Sequence, residues 1–469
     1  MCVRFSELDG SRIGVWGAGR EISSFAEQLS RRLPAARIVA AAFDTPPPAD
    51  IRDTLKAPDA RVLSSVEAVA GLADCDVVVR SPGVSTHRPE LRALRAAGVA
   101  VTTATALWLA DRDGEGVIGV TGTKGKSTTA ALAFHLARAA GRTARLAGNI
   151  GAPALDLLDG EPAEVTVLEL SSYQTADLEV GPQVALVTNV FREHTDWHGS
   201  EEAYRADKLR MLELQGVRVA VLNGRDERLA ALDLGVETRY YGRSDGWHVS
   251  SPGVSRDGRR DGAREGSTVI ARGGEPALAL AGLALRGEHN ALNLCGALAA
   301  LEAFGIAPPA LPESLLDFRP LPHRLETVAE HEGVTWVNDS ISTTPESAIA
   351  ALASFPKREV VLIAGGQDRG QDYSELARAL ARNGASVLGV PSTGSRLLAA
   401  AREAGVPAAQ LAEAPDMEAA VALARALTAG RSGAVVLLSP AAPSYDHYRD
   451  FEERGERFRA LAGLQPRRG

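Results

Sequence analysis

At 469 residues the chain is too long for one ordinary hydrophobic core and suggests two to four domains. Apolar residues make up 45% and charged residues 23%, the balance of a soluble globular protein, and a net charge of −8 argues against non-specific nucleic-acid binding. No apolar run is long enough to cross a bilayer, so membrane insertion is not expected.

The opening MCVRFSELDGSRIGVWG reads as lacking a signal peptide, because charged and polar residues interrupt it before an apolar core forms. Cys2, Cys75 and Cys295 are far apart and show no metal spacing. A reduced, cytoplasmic setting is the expectation. Lys and Arg total 51, yet only five are lysines: Lys56, Lys124, Lys126, Lys208 and Lys357. In so Arg-rich a chain, a retained lysine marks a place where a planar, permanently charged guanidinium cannot serve, or a chance survival.

In chain order, residues 13–16 form a short apolar strand and Gly17-Ala18-Gly19 a turn. Residues 22–33 have helical apolar spacing, and 37–43 and 76–79 are further strands, the last followed by Ser81-Pro82-Gly83. This βαβ rhythm predicts a parallel sheet covered by helices. A second unit begins near Val117, with a strand at 117–120, a loop at 121–125 and a helix at 126–140 closed by Gly141. Its strands recur at 165–170, 184–189 and 219–222, and residues 246–275, rich in Gly, Ser and Arg, read as an exposed excursion. A third unit starts near Phe318, with strands at 335–337, 360–364 and 435–438. The expected domains are 1–112, 113–317 and 318–469, all of them α/β.

Gly122-Thr123-Lys124-Gly125-Lys126-Ser127, between strand and helix, is the sharpest motif. Glycines let backbone N–H groups wrap phosphate oxygens, and the helix N-terminus adds partial positive charge. Lys126 is expected on the outer phosphates and the Ser127 hydroxyl on Mg²⁺. The bland alternative is a glycine-rich turn that binds nothing. Glu169 ends an apolar strand, where open α/β sheets bind ligands, so it either holds a cation or is a surface acid. His194 and Asp196 follow another strand end and could reach the same edge. Ser200 opens a helix with Glu201 and Glu202 in its first turn, and Lys208 lies about two turns in, as a functional or a merely solvated lysine.

Together these segments resemble the Mur ligase family, which builds the peptide stem of peptidoglycan. The resemblance covers essentially the whole chain. It implies a Rossmann-like UDP-binding N-terminal domain, a central P-loop ATPase domain and a Rossmann-like C-terminal domain. It also implies that Lys208 is carbamylated by CO2, which requires a neutral amine, and that Glu169, His194, Ser127 and the modified Lys208 hold two Mg²⁺ ions. His194 thereby joins Lys126 and Lys208 among the implied catalytic residues.

Gly287-Glu288-His289-Asn290 with Asn293, the Arg324 segment Leu321-Pro322-His323-Arg324, and Val337-Asn338-Asp339-Ser340 match the family's nucleotide-contacting segments. ATP is thus expected on Gly122, Thr123, Lys124, Gly125, Lys126, Ser127, Thr128, Asn290, Arg324 and Asp339. Gly17, Gly19, Asp44, Thr45, Ser81, Pro82 and Gly83 resemble the UDP-binding loops of the glutamate-adding branch, with Asn149, Ser171 and Gln174 as further contacts to the UDP-linked substrate. Ile22 stands where a dinucleotide fingerprint has its third small residue, so NAD is not expected. Near the C-terminus, Ser439-Pro440-Ala441-Ala442-Pro443-Ser444 and Phe451-Glu452-Glu453-Arg454-Gly455 resemble that branch's amino-acid-binding end. Thr343, Arg369, Ser444 and Phe451 are the implied glutamate contacts.

Two positions depart from that branch. Ile341 stands where it has a lysine, and Arg369 replaces a second one. Lys to Arg is not neutral at a carboxylate site. The pattern resembles a less common relative that adds L-glutamate, after which a separate epimerase inverts the residue. The expected reaction is ATP-dependent joining of L-glutamate to UDP-N-acetylmuramoyl-L-alanine through an acyl phosphate. The alternatives are the D-glutamate-adding enzyme, a folate polyglutamate synthase and a non-enzymatic nucleotide-binding module.

Overall fold

The computed structural model describes residues 2–44, 47, 51–191, 195–250, 269–280, 283, 285, 287–318, 322–368 and 370–463. The chain forms two compact units, Met1–Leu283 with His289–Phe318, and Ala284–Glu288 with Arg319–Gly469. No helix among the described residues is long and apolar enough to cross a membrane.

The first unit opens with β1 (Arg12–Trp16), β2 (Arg37–Phe43), β3 (Arg61–Ser64), β4 (Val77–Arg80) and β5 (Ala100–Thr102). They form one parallel sheet in the order β3-β2-β1-β4-β5. The order puts β1 between β2 and β4, so the loops that follow all three emerge at one edge. A second parallel sheet has the order β11-β10-β9-β6-β8-β7. Its strands are β6 (Val117–Thr121), β7 (Ala144–Gly148), β8 (Val165–Glu169), β9 (Val184–Val187), β10 (Val219–Asn223) and β11 (Glu237–Tyr241). β6, β8 and β9 are buried along their whole length, which is why they read as continuous apolar runs without alternation.

Residues 1–112 and 113–317, expected as separate domains, carry separate sheets but share one core. Phe5, Ile13, Phe25 and Trp108 belong to the same buried cluster as Val117, Leu168, Ala185 and Leu222. The expected excursion at 246–275 needs correction at its two ends, while residues 251–268 lie outside the described residues. β12 (Trp247–Ser250), β13 (Val269–Arg272) and β14 (Glu275–Ala279) form a small antiparallel sheet, and Trp247, Ile270 and Ala271 are buried. Charged and glycine residues around those apolar positions mask the pattern in the sequence.

The second unit is a six-stranded sheet in the order β15-β16-β20-β17-β18-β19. β15 (Glu326–His331) and β16 (Val334–Asn338) form an antiparallel hairpin. β17 (Val360–Ala364), β18 (Ser386–Gly389), β19 (Leu411–Glu413) and β20 (Val435–Leu438) pair in parallel. Alternate residues bury opposite faces: Val337, Leu362 and Leu437 enter one core, and Trp336, Ile363 and Leu438 the other.

Candidate active site

The phosphate-loop segment leaves β6 and enters the helix Lys126–Ala139 directly. Gly122 has φ 142°, and a Cβ there would fall 1.9 Å from Thr188 Oγ1. Gly125 is left-handed at φ 84°, and a Cβ would fall 2.3 Å from Asn293 Oδ1. Both positions therefore require glycine. The loop is also tied to the segment after β9: Thr123 N donates to Asn189 O at 2.8 Å, Lys124 N to Asn189 Oδ1 at 2.8 Å, and Thr188 Oγ1 to Lys124 O at 2.6 Å. Lys126 Nζ donates to Thr123 O at 3.0 Å, and Ser127 and Thr128 are buried in the first turn of the helix. Asn290 and Asn293 share the helix Glu288–Phe304, so the contact of Asn293 with Gly125 brings both near the loop.

The two remaining described members of the metal set lie on the same edge. Glu169 is fully buried at the end of β8. Its Oε1 accepts from Asn149 Nδ2 at 3.0 Å, while Oε2 has no partner among the described residues. A buried carboxylate oxygen left without a donor is costly and suits a cation ligand. The helix Glu201–Leu209 is capped by Ser200 Oγ accepting from Ala203 N. It carries Lys208 inward, 2% exposed, to donate to Gly122 O at 2.9 Å. Lys208 is thus a buried lysine on the phosphate loop, and the solvated alternative does not hold. His194 lies outside the described residues.

The first sheet places the expected UDP loops together. Gly17 and Gly19 follow β1, Asp44 follows β2, and Ser81, Pro82 and Gly83 follow β4. Ser81 Oγ donates to Ala18 O at 3.0 Å, and a Cβ on Gly17 would fall 2.9 Å from Ser81 Cβ. Arg88 bonds Asp44 at 2.6 Å; Thr45 lies outside the described residues. Ser171 and Gln174 cap each other, with Gln174 N donating to Ser171 Oγ and Ser171 N to Gln174 Oε1. Gln174 Nε2 also donates to Glu21 Oε1 at 2.6 Å, and Arg20 reaches Asn149 O at 3.0 Å. Burial pushes the Glu21 carboxyl above its ordinary range.

In the second unit, Asp339 lies just beyond β16. It accepts from Ser439 Oγ at 2.7 Å and from Leu325 N at 3.2 Å. Burial raises its carboxyl to about 6, against the opposing pull of Ser342, Ser439 and Arg324. Ser444 is buried, and the Phe451 ring meets His323 edge-on at 5.9 Å. Thr343 is half-buried, and Arg369 lies outside the described residues. A cleft of about 470 Å³ is lined by Gly365, Gly366, Asp446, Tyr448 and Arg454.

The buried contacts of several polar residues are set by the fold rather than by local spacing. Arg454 donates to Ala442 O at 3.1 Å and to Ser340 O at 2.9 Å, and burial lowers its guanidinium to about 10. The neighbouring Gly455 was a visible signal, since a Cβ there would fall 2.2 Å from His323 Nδ1. Arg80 and Asp177 form a buried ion pair between chain segments far apart in sequence, and neither has a local motif.

The Mur ligase middle domain profile matches residues 120–301, and the profile described as Mur ligase, glutamate ligase domain, matches 323–442. A protein of Xanthomonas euvesicatoria named UDP-N-acetylmuramoyl-L-alanine–L-glutamate ligase is 42% identical, over 99% of this chain and 97% of its own length. A Micromonospora protein of the same name is also 42% identical, over 97% of both chains. Among solved structures, MurF ligase from Thermotoga maritima in complex with ADP superposes with a TM-score of 0.59 at 18% identity, over 98% of this chain and 97% of that one.

Proposed function

The chain belongs to the Mur ligase family, and on that premise we propose that it joins L-glutamate to UDP-N-acetylmuramoyl-L-alanine, cleaving ATP to ADP and phosphate. The observation that carries the chemistry is that Lys126 and Lys208 both bond the phosphate loop, while Glu169 ends β8 beside the strand that leads into it. The L-enantiomer is supported by the name of the 42% identical relatives and by Ile341 and Arg369 in place of lysines.

A carboxylate oxygen of the alanyl substrate attacks the γ-phosphorus of ATP. The bond to the β-phosphate oxygen breaks, ADP leaves, and an acyl phosphate remains. Lys126 and the loop N–H groups stabilise charge on the transferring group. The glutamate amine then attacks the acyl carbon, gives up its proton, and phosphate departs from the tetrahedral intermediate.

Ser127, Glu169, His194 and a carbamylated Lys208 are the proposed holders of two Mg²⁺ ions, which when bound neutralise phosphate charge. The unpartnered Glu169 Oε2 fits that role. Asn290, Arg324 and Asp339 are assigned to the nucleotide, the β1, β2 and β4 loops with Asn149, Ser171 and Gln174 to the UDP-linked substrate, and Thr343, Arg369, Ser444 and Phe451 to glutamate. The division 1–112, 113–317 and 318–469 follows the three large sheets. A cytoplasmic location and a separate epimerase acting on the product complete the proposal.

Sustained, multiple-turnover ADP release is expected only when UDP-N-acetylmuramoyl-L-alanine and glutamate are both present. Equal ATP turnover with either omitted would sink the assignment.

A further inference from the structure

Away from the phosphate loop, three titratable side chains meet inside the first unit. His87 Nε2 and His198 Nδ1 lie 2.5 and 2.6 Å from the same oxygen, Asp207 Oδ2. A carboxylate only accepts, so both imidazoles donate to it. His198 is 2% exposed, and its Nε2 lies 3.0 Å from Ser172 Oγ. Two imidazoles and a carboxylate are also a metal donor set. A tetrahedral cation at ~2.0–2.1 Å from each would hold the donors roughly 3.3 Å apart, so these contacts are hydrogen bonds.

The three residues come from different parts of the site. His87 lies on the loop that begins with Ser81, Pro82 and Gly83 after β4. That loop is bonded again to the residue before His198: Trp197 Nε1 donates to Gly83 O at 3.1 Å, and Ser85 Oγ donates to Trp197 O at 2.6 Å. The Trp197 ring stacks on Tyr173 at 4.5 Å, next to the Ser171–Gln174 cap. Asp207 precedes Lys208 on the helix Glu201–Leu209. Successive helical residues point about 100° apart. One turn of this helix therefore aims Asp207 at the first-sheet loop and Lys208 at Gly122 O. A rotation of the helix moves both.

We propose that His87, Asp207 and His198 are positioning residues that set Lys208 according to the placement of the 81–88 loop, coupling the loop assigned to the UDP-linked substrate to the lysine assigned to the carbamate. The coupling rests on those two assignments. Its energetic content is a pair of charge-assisted hydrogen bonds, one from the buried His198 and one from the partly exposed His87. Burial pushes the Asp207 carboxyl up, but the bonds from His198 and His87 outweigh it and hold the group below its ordinary range.

The test uses the full chain with His87→Ala, His87→Asn, which keeps a donor, and Lys208→Ala. Steady-state kinetics, thermal unfolding and the carbamate signal from ¹³C-labelled bicarbonate are read for each. His87 is partly exposed, so the variants are expected to fold. For His87→Ala the expected result is a kcat about 10-fold lower, the effect typical of residues that orient a ligand from behind. The KM for ATP stays unchanged, the carbamate signal needs more bicarbonate to saturate, and His87→Asn recovers most of the loss. An unchanged kcat, or a loss explained by unfolded protein with a normal carbamate signal, overturns the coupling while the ligase assignment stands. Full activity in Lys208→Ala would sink the assignment of Lys208 itself, and the coupling with it.

Discussion

Replacing Lys126 by alanine is expected to lower kcat by about 10²–10³-fold, the usual cost of deleting one preorganised charge from a transition state. The side chain is the first residue of the helix Lys126–Ala139, and its ammonium is parked on Thr123 O at 3.0 Å. From there it can swing to a phosphate with little loss of backbone order. Alanine is a good helix former, so the fold and thermal midpoint are expected to hold. Arginine is expected to fail as well, because its planar fork cannot replace a compact ammonium inside so tight a loop. Single-turnover ADP formation with both substrates saturating is the measurement. A Lys126→Ala variant at near-normal rate would remove the phosphate loop from the chemistry.

The second large effect is expected at Lys208. Lys208→Arg keeps a positive charge but cannot be carbamylated, and it is expected to lose about 100-fold in kcat, like Lys208→Ala. If the lysine acted only as a buried cation on Gly122 O, arginine would preserve most of the activity. A small carboxylic acid added to Lys208→Ala is expected to restore part of the rate, since its carboxylate can occupy the space of the missing carbamate. Retained activity in the arginine variant would contradict the modified-lysine reading. Some stability loss accompanies Lys208→Ala, because Gly122 O loses a buried donor, at about 1–3 kcal/mol. Rates are therefore compared at a temperature where both variants are folded.

The parts of this site that were legible in the sequence are the local ones. A phosphate loop is six contiguous residues between a strand and a helix, and its glycines answer to contacts with Thr188 and Asn293. Glu169 was legible as a strand-end acid, but its unpartnered oxygen was not, because that depends on which neighbours the sheet order β9-β6-β8 supplies. Lys208 was picked out by its rarity in an Arg-rich chain, and burial gives that rarity a physical reason. The pairs that hold the first unit together were invisible. Arg80 and Asp177, or His87 and Asp207, are joined only by tertiary folding and carry no spacing signal. The same holds for the common core under the first two sheets, whose members, Trp108 and Leu168 among them, are gathered into one buried cluster only by the fold. The small sheet at β12–β14 was hidden for the opposite reason, its few buried residues being outnumbered by polar neighbours.

The central claim is the identity of the amino acid joined. The most direct measurement supplies each glutamate enantiomer separately, with UDP-N-acetylmuramoyl-L-alanine and ATP, and follows ADP, phosphate and the amide product by mass. Coupling of L-glutamate with one ADP per amide, and little or none of D-glutamate, is the predicted result. Coupling of D-glutamate while L-glutamate is ignored would contradict it.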